Sequence, residues 1–409
     1  MPHAWSAVAV LVLCASLLHA QVQLGNETLA AGGFKELRGK RVGLITNPSG
    51  VNSDLQSTTD VLRRAPGVKL VALFAPEHGL NADVPAGTEF PNSTDARTGL
   101  PVYSLYGPGP VRKPTAAMLN GLDALVYDIQ DVGCRSYTFI STLGLAMEAC
   151  ASNNVESIVL DRPNPTGGER VEGPLLDLRF RSFVGQWPIP YLYGMTPGEL
   201  ARMIDGEGWT ARRCRLTVVP LKNWRRWMVW RDTGLPWVPT SPFMPFADSP
   251  LHYPSTGLLG QIGGVSIGIG YTLPFQTIAA PWLPARETAE QLSRAGLGGV
   301  KFLPVSYTPF HGAFREKRIT GVQVFFSEPA RAPLLAVNFA ALDVAKRAGH
   351  DLFAAAAKDD ARMAMFDKLM GSDRTRRLLT QGATAATIIK SWKADEEAFR
   401  QRRQKYLLY

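Results

Sequence analysis

The chain has 409 residues, of which 45% are hydrophobic and 19% are charged, and its formal net charge is +9. This balance excludes a disordered chain, and the length is enough for a large core divided between two domains. The basic residues are scattered apart from the C-terminal segment AFRQRRQKYLLY, which a solvated helix face explains, so we expect no nucleic-acid partner.

The first twenty residues, MPHAWSAVAVLVLCASLLHA, combine an apolar run with small residues at its end. This pattern predicts a signal peptide over 1–20, cleaved after Ala20, so that the mature chain begins at Gln21. A retained N-terminal anchor is the alternative, because only His3 offers positive charge before the apolar run. No later stretch reaches the roughly twenty apolar residues of a membrane-spanning helix, so we expect a periplasmic or secreted protein without membrane insertion.

From Lys40 to about Trp224, short β-rich apolar runs alternate with helical patterns. Such alternation is typical of βαβ units and predicts a Rossmann-like, mainly parallel sheet. The expected strands are RVGLITN, KLVALFAPE, LPVYSLY, DALVYDIQ, ESIVLDRP and RLTVVPL. Helices are predicted at YTFISTLGLAMEACAS and after Thr196, where Thr-Pro-Gly-Glu places a capping residue, a first-turn proline and a capping-box glutamate in order.

The stretch from Trp224 to Pro254 is dense in proline and tryptophan, which predicts a packed irregular connection. Its tryptophans either fill a domain junction or stack on a sugar ring. Beyond it come a glycine-rich segment, strands near KFLPVSYTPF and GVQVFFSE, and largely helical sequence. We therefore predict an α/β chain with a Rossmann-like domain over 21–240 and a smaller α+β domain over 241–409.

In an open parallel sheet, ligands bind beyond the carboxyl ends of the strands. Four of the predicted strands end in polar residues: Asn47; Glu77 and His78; Asp128, Gln130 and Asp131; Asp161, Arg162 and Asn164. A single residue of this kind is readily explained as a cap or a turn former. Four strands that end this way predict a binding site at one edge of the sheet.

Glu77 stands between Pro76 and His78-Gly79, on what should be a tight turn beside an imidazole. Burial there would suit its carboxyl group to proton donation, so Glu77 is the predicted general acid and His78 its catalytic neighbour. The alternative is a glutamate in the first turn of a helix.

Asp128 and Asp131, with Arg135 and Tyr137 just beyond, are predicted to orient a sugar or its carboxylate. An arginine fork binds a carboxylate through two parallel hydrogen bonds, which favours Arg135 for that contact.

A second acidic group, which most glycosidases require, is offered by Asp128, by the Asp161-Arg162-Asn164 run and by Glu172 in VEGP. The sequence does not choose among them. Arg162 is either part of the site or an internal ion-pair partner of Asp161.

No GxGxxG follows the first strand and no GxxxxGK[ST] occurs, so we predict no nucleotide cofactor. His78, Asp128, Asp131 and Asp161 are metal-ligand types without a diagnostic spacing, which makes a metal-dependent hydrolase the weakest alternative. The three cysteines of the mature chain show no zinc spacing, and we expect buried free thiols.

Several motifs together resemble those of the NamZ-type exo-β-N-acetylmuramidases, once a family of unknown function, and the match runs from about Lys40 to the C-terminus. They are GKRVGLITNPSGV, LFAPEHGL, TGLPVYSLYG, LDALVYDIQDVGCRSYTFISTL, VLDRPNPTGG with VEGP, PIPYLYGMTPGELA and SWKADEEAFRQRRQKYLLY. The resemblance implies a Rossmann-like N-terminal domain, a smaller C-terminal domain that closes a cleft, and release of terminal β-linked N-acetylmuramic acid (MurNAc) from peptidoglycan fragments. The glutamate of the family's PEHG motif corresponds to Glu77.

The chain departs from the family in one loop: members typically read close to Ser-Glu-Gly-Arg-Gly-Thr, whereas this sequence has Ser266-Ile267-Gly268-Ile269-Gly270-Tyr271. A carboxylate and a guanidinium are lost. If that arginine met the lactyl carboxylate of MurNAc, this chain would prefer another amino sugar or lack activity. The alternative to a glycosidase is therefore a non-catalytic muropeptide-binding protein of the cell envelope. The sequence gives no indication of oligomeric state.

Overall fold

The computed structural model describes residues 21–109 and 112–409, so the predicted signal peptide lies outside the described residues. The first part of the described chain contains seven strands: β1 (Arg41–Thr46), β2 (Lys69–Ala75), β3 (Ser93–Thr94), β4 (Pro101–Ser104), β5 (Ala124–Asp128), β6 (Glu156–Leu160) and β7 (Leu216–Val219). They form one sheet in the order β3-β4-β2-β1-β5-β6-β7. Every neighbouring pair is parallel except β3 and β4. The predicted mainly parallel sheet is confirmed.

The helices of this first part are α1 (Gly25–Ala31), α2 (Thr58–Arg64), α3 (Ala116–Leu119), α4 (Phe139–Ser152) and α5 (Pro197–Gly206). The predicted start of α5 is confirmed, because the Thr196 hydroxyl accepts from the Glu199 N–H and the Glu199 carboxylate accepts from the Thr196 N–H. This reciprocal capping box satisfies two backbone donors that would otherwise be unpaired at the helix start.

The connection rich in tryptophan fills a domain junction. Trp224 and Trp230 are buried, and Trp230 meets Trp237 edge-on at 5.0 Å between ring centroids. The prediction of irregular structure as far as Pro254 was wrong, because α6 (Ser249–Ile262) begins within that stretch. Pro250 lies in the first turn of α6, where a proline removes no helical hydrogen bond. Pro254 lies inside the helix, and its carbonyl accepts from Asn338 Nδ2 at 2.8 Å.

The second part contains β8 (Thr277–Ala280), β9 (Val300–Tyr307) and β10 (Ile319–Phe326), in the antiparallel order β8-β10-β9. β8 was not predicted. The remaining helices are α7 (Ala285–Ser293), α8 (Ala336–Arg347), α9 (Leu352–Ala356), α10 (Asp360–Met370), α11 (Arg374–Thr380), α12 (Ala385–Ser391) and α13 (Lys393–Arg403). The smaller α+β domain is confirmed. No helix within the described ranges is both long and apolar enough to cross a membrane.

One apolar core runs through both domains. It includes Tyr127 and Trp187 of the first domain and Phe339 and Trp392 of the second. The C-terminus also returns to the first sheet, where the Tyr409 hydroxyl donates to Asp161 Oδ2 at 2.7 Å. The shared apolar core and the Tyr409–Asp161 hydrogen bond join the two domains.

Candidate active site

Glu77 lies two residues beyond the end of β2, on a turn that strains its neighbour. His78 has a φ of 72°, in the left-handed region that residues with a Cβ seldom adopt. The turn is held by the His78 ring, whose Nδ1 lies 2.9 Å from the Val84 carbonyl, and by the Val84 N–H, which donates to the His78 carbonyl. His78 therefore shapes the loop that carries the acid.

Both carboxylate oxygens of Glu77 are held by hydrogen bonds. Thr138 Oγ1 donates to Oε2 at 2.6 Å, and the Gly87 N–H donates to Oε1 at 2.9 Å. Thr138 is the N-cap residue of α4, yet its side chain makes no capping bond. A side-chain cap at this position typically contributes about 1 kcal/mol to helix stability. The Thr138 hydroxyl binds Glu77 instead of the helix. Glu77 is 8% exposed, so the carboxyl group is fixed and almost enclosed.

Three buried tyrosines interact electrostatically with this carboxyl group. Burial raises the pKa of Tyr106, and the neighbouring Glu77 carboxylate raises it further. The rings of Tyr137 and Tyr253 meet edge-on, with their centroids 5.6 Å apart. Burial is the largest cause that raises the pKa of both hydroxyls, and the negative charge of Glu77 adds to it. Because Tyr253 belongs to α6, the second domain completes the surroundings of an acid carried by the first.

Sequence reasoning missed Tyr106, Thr138 and Tyr253. Tyr106 follows β4 at the same edge of the sheet. The expectation that residues after strand ends form the site, which predicted Glu77, therefore also indicates Tyr106. Thr138 stands directly after Tyr137 in the same motif. Tyr253 lies 116 positions beyond Tyr137 on a helix that was not predicted, and no local signal indicates it.

Asp128 lies at the end of β5 in a buried ion pair beneath the edge. Arg162 Nε donates to Asp128 Oδ1 at 2.5 Å, while Thr58 Oγ1 and Asn26 Nδ2 both donate to Oδ2. The predicted alternative that Arg162 pairs with Asp161 was wrong, since its guanidinium reaches Asp128. Both Asp128 oxygens are therefore engaged by protein donors, and the predicted catalytic role of Asp128 stays a prediction.

Asp131 is sealed in the core next to the site. Its Oδ2 accepts from the Tyr193 hydroxyl at 2.5 Å and from the Gly133 N–H at 2.6 Å, whereas Oδ1 has no hydrogen-bond partner. Burial raises the pKa of Asp131 to about 6. Gln130 Nε2 donates to the carbonyls of Asp131 and Pro163, and its Oε1 is likewise unpaired. Neither side chain is exposed to a ligand in this structure.

Arg135 is fully buried and differs from its predicted substrate role. Its Nη1 donates to the carbonyls of Pro174 and Ile189, and its Nη2 donates to the carbonyl of Leu369 at the end of α10. Burial lowers the pKa of this guanidinium to about 10. Arg135 thus uses Nη1 and Nη2 to join the two domains through backbone carbonyls, whereas its Nε has no hydrogen-bond partner.

The other predicted strand-end residues cap backbone groups. Asp161 accepts from the Gly198 N–H at 2.7 Å and from the Thr196 hydroxyl at the start of α5, and burial raises its pKa to about 7. The side-chain oxygens of Asn47 and Asn164 accept from backbone N–H groups two residues on, at 3.0 Å each. Tyr137 alone of the predicted binding residues lies beside Glu77, with its hydroxyl 2.6 Å from Thr240 Oγ1.

Glu172 binds the second domain. Its Oε2 accepts from the Leu335 N–H at the start of α8 at 2.8 Å, and its Oε1 pairs with Arg170 at 2.7 Å. A carboxylate at a helix N-terminus is favourable because the unpaired N–H groups carry partial positive charge. Glu172 thus anchors α8, and the structure gives it no contact with Glu77.

The remaining predictions concern metal and sulfur. Within residues 21–109 and 112–409, no group of three or more His, Cys, Asp or Glu side chains is arranged to hold a metal ion. Cys134, Cys150 and Cys214 are buried free thiols, as predicted.

The backbone of the loop 266–271 depends on two glycines. Gly268 and Gly270 have φ values of 85° and 91°. A Cβ at either would lie within 2.0 Å of a carbonyl oxygen, that of Leu273 or that of His311, so both positions require glycine. Ile267 and Ile269 occupy the two positions at which the sequence departs from the family pattern in charge. The following residue pair is aromatic, since Tyr271 stacks on Tyr307 of β9 with ring centroids 4.4 Å apart.

Comparisons with known proteins identify the family. The N-terminal and C-terminal models of the exo-β-N-acetylmuramidase NamZ match residues 42–248 and 251–409. The chain is 43% identical over 392 residues to the peptidoglycan β-N-acetylmuramidase NamZ of Bacillus subtilis, covering 95% of this chain and 92% of that protein.

Two solved structures of DUF1343 family proteins from Bacteroides fragilis share the fold. One is 46% identical with a TM-score of 0.88, and the other is 31% identical with a TM-score of 0.72. Each alignment covers 95% of this chain and 99% of the other.

An oriented, nearly enclosed carboxyl group at the carboxyl edge of a Rossmann-like sheet, in a chain with these relatives, defines a glycoside hydrolase. The chain belongs to the NamZ family of exo-β-N-acetylmuramidases.

Proposed function

We propose that this protein is an exo-acting glycosidase that removes terminal β-1,4-linked MurNAc, or a closely related amino sugar, from peptidoglycan fragments. One observation carries the proposal: Thr138 and the Gly87 N–H hold both oxygens of the nearly buried Glu77 carboxyl group, just beyond the carboxyl end of β2. The relative from Bacillus subtilis, which is named for this activity, supports the choice of substrate.

Glu77 acts as general acid in this proposal. Its proton passes to the glycosidic oxygen as the bond to the anomeric carbon breaks, and positive charge develops on that carbon and the ring oxygen. Fixed hydrogen bonds keep the carboxyl group in one orientation, which lowers the reorganisation needed in the transition state. Tyr106, Tyr137 and Tyr253 limit the access of water to the same point.

The nucleophile is best supplied by the substrate. Asp128 is ion-paired with Arg162 and Glu172 with Arg170, and Asp131 and Asp161 are at most 1% exposed. The Glu77 carboxyl group, by contrast, accepts from the neutral donors Thr138 Oγ1 and the Gly87 N–H. The acetamido oxygen of MurNAc is positioned by its own ring to attack the anomeric carbon, forming an oxazolinium intermediate. Water then adds to that carbon while the Glu77 carboxylate accepts its proton, so the product retains its configuration.

The test is release of chromophore from paired β-MurNAc and β-N-acetylglucosamine glycosides by the mature chain and by Glu77→Gln. We expect MurNAc release, reduced roughly 100- to 10,000-fold in Glu77→Gln, because general acids typically contribute that factor. Glu172→Gln is the matched control, and its folded fraction should keep the wild-type kcat. Unchanged turnover in Glu77→Gln would remove Glu77 from this role, and binding without turnover would identify a muropeptide-binding protein.

We also propose that the mature chain, beginning at Gln21, acts in the periplasm or outside the cell. The apolar run that ends at Ala20 and the location of the proposed substrate support this. N-terminal sequencing of the exported protein tests it, and a start at Met1 would contradict cleavage.

A further inference from the structure

The two arginines predicted to belong to the substrate site bind protein acceptors, which leaves the acidic group of MurNAc without an evident partner. Arg135 donates to backbone carbonyls and Arg162 to Asp128. The loop 266–271 of the second domain, SIGIGY, contains no charged residue. A different cation, Arg112, lies over the ring of Tyr106.

Arg112 lies across one tyrosine ring from Glu77. Its guanidinium carbon is 4.1 Å from the centroid of the Tyr106 ring, and Tyr106 adjoins the Glu77 carboxylate. A guanidinium over an aromatic face is attracted by the ring quadrupole, which fixes its plane. Its Nη1 donates to the carbonyls of Gly107 and Gly109, both at 2.6 Å. One edge of the fork is thus anchored to the chain.

The opposite edge of Arg112 holds a carboxylate already. Nη2 donates to Glu89 Oε1 at 2.9 Å, and the Glu89 side chain is 42% exposed, whereas that of Arg112 is 17% exposed. Glu89 belongs to the loop in which the Gly87 N–H donates to Glu77 and the Phe90 N–H donates to the Tyr106 carbonyl. An exposed ion pair of this kind contributes little to stability, so exchanging Glu89 for another carboxylate costs little.

We propose that Arg112 binds the lactyl carboxylate of the MurNAc unit whose glycosidic oxygen Glu77 protonates, and that Glu89 occupies the guanidinium when no substrate is present. This inference rests on the proposed function. The lactyl group lies two ring carbons from the anomeric carbon, and a tyrosine ring is similar in width to a pyranose ring. Once Glu89 is displaced, the released edge of the arginine fork matches a carboxylate in geometry and charge.

The experiment compares a chromogenic β-MurNAc glycoside with the analogue in which the lactyl acid is a carboxamide. Wild-type enzyme should prefer the acid. Arg112→Gln should lower kcat/KM for the acid roughly 10- to 100-fold, since charged hydrogen bonds have that strength, and leave the carboxamide nearly unchanged. Lys113→Gln removes the same charge one residue further on, where the side chain pairs with Glu148, and should preserve the preference. Glu89→Gln should lower KM for the acid a few-fold.

An equal acid-to-carboxamide preference in Arg112→Gln and wild type would overturn the proposal. So would an equal loss on both substrates, because Arg112 would then act only by shaping Tyr106 and Glu77. If the wild type hydrolyses neither glycoside, the proposed function fails, and calorimetric titration with free MurNAc and N-acetylglucosamine decides the question separately. Preferential MurNAc binding that Arg112→Gln abolishes supports the inference, and absent or unaltered preference refutes it.

Discussion

Replacing Asp131 by asparagine should remove one component of the pH dependence of folding stability. Asp131 is buried, and burial raises its pKa from 3.8 to about 6. The folded state therefore binds this proton more tightly than the unfolded state. Its stabilising contribution is complete below the unfolded pKa and is lost as the pH rises through the folded value of about 6.

The size of the effect follows from those two pKa values. Between about pH 4.5 and pH 8 the contribution of Asp131 to the free energy of unfolding should fall by about 2 kcal/mol, because a tenfold difference in proton affinity corresponds to about 1.4 kcal/mol. Asparagine has the same shape, and its carbonyl oxygen can still accept from Tyr193 and from the Gly133 N–H. The variant should thus gain stability relative to wild type as the pH rises.

Urea denaturation at a series of pH values, followed by tryptophan fluorescence, measures this difference directly. Asp54→Asn, at an exposed loop position, is the control and should run parallel to wild type at every pH. A difference between Asp131→Asn and wild type that does not change with pH would refute the reasoning that burial makes Asp131 hold its proton.

Two further substitutions test the residue that orients Glu77 and the buried ion pair that stabilises the fold. Thr138→Val should lower kcat roughly 10-fold without unfolding the protein, because it removes the hydrogen bond to Glu77 Oε2; circular dichroism and turnover of the MurNAc glycoside check both parts, and an unchanged kcat would contradict the orienting role. Arg162→Met should reduce the free energy of unfolding by roughly 3 kcal/mol, because it leaves Asp128 as a buried unpaired charge; wild-type stability by urea denaturation would show that the ion pair is dispensable.

Local chemistry determined much of the fold. The apolar runs that became β1, β2, β4, β5, β6 and β7 were all predicted, because strands buried on both faces are continuous in apolar residues. The helix start at Thr196 was readable because a capping box is completed within four residues. By contrast, β8 and the proline-containing helix α6 owe their structure to packing against distant segments, and their own sequences are weak predictors.

The sequence by itself determined which residues lie at the carboxyl edge of the sheet, because strand order along the chain and strand direction fix that edge. Glu77 was selected on this ground before any side-chain contact was known. Only the tertiary structure decided which edge residues face a ligand and which bind the protein itself. Arg162 pairs with Asp128 rather than with its neighbour Asp161, and Arg135 meets a carbonyl 234 positions away. Which group a side chain binds depends on distances between residues that are remote along the chain. Those distances cannot be predicted from composition or from the spacing of residues in the sequence.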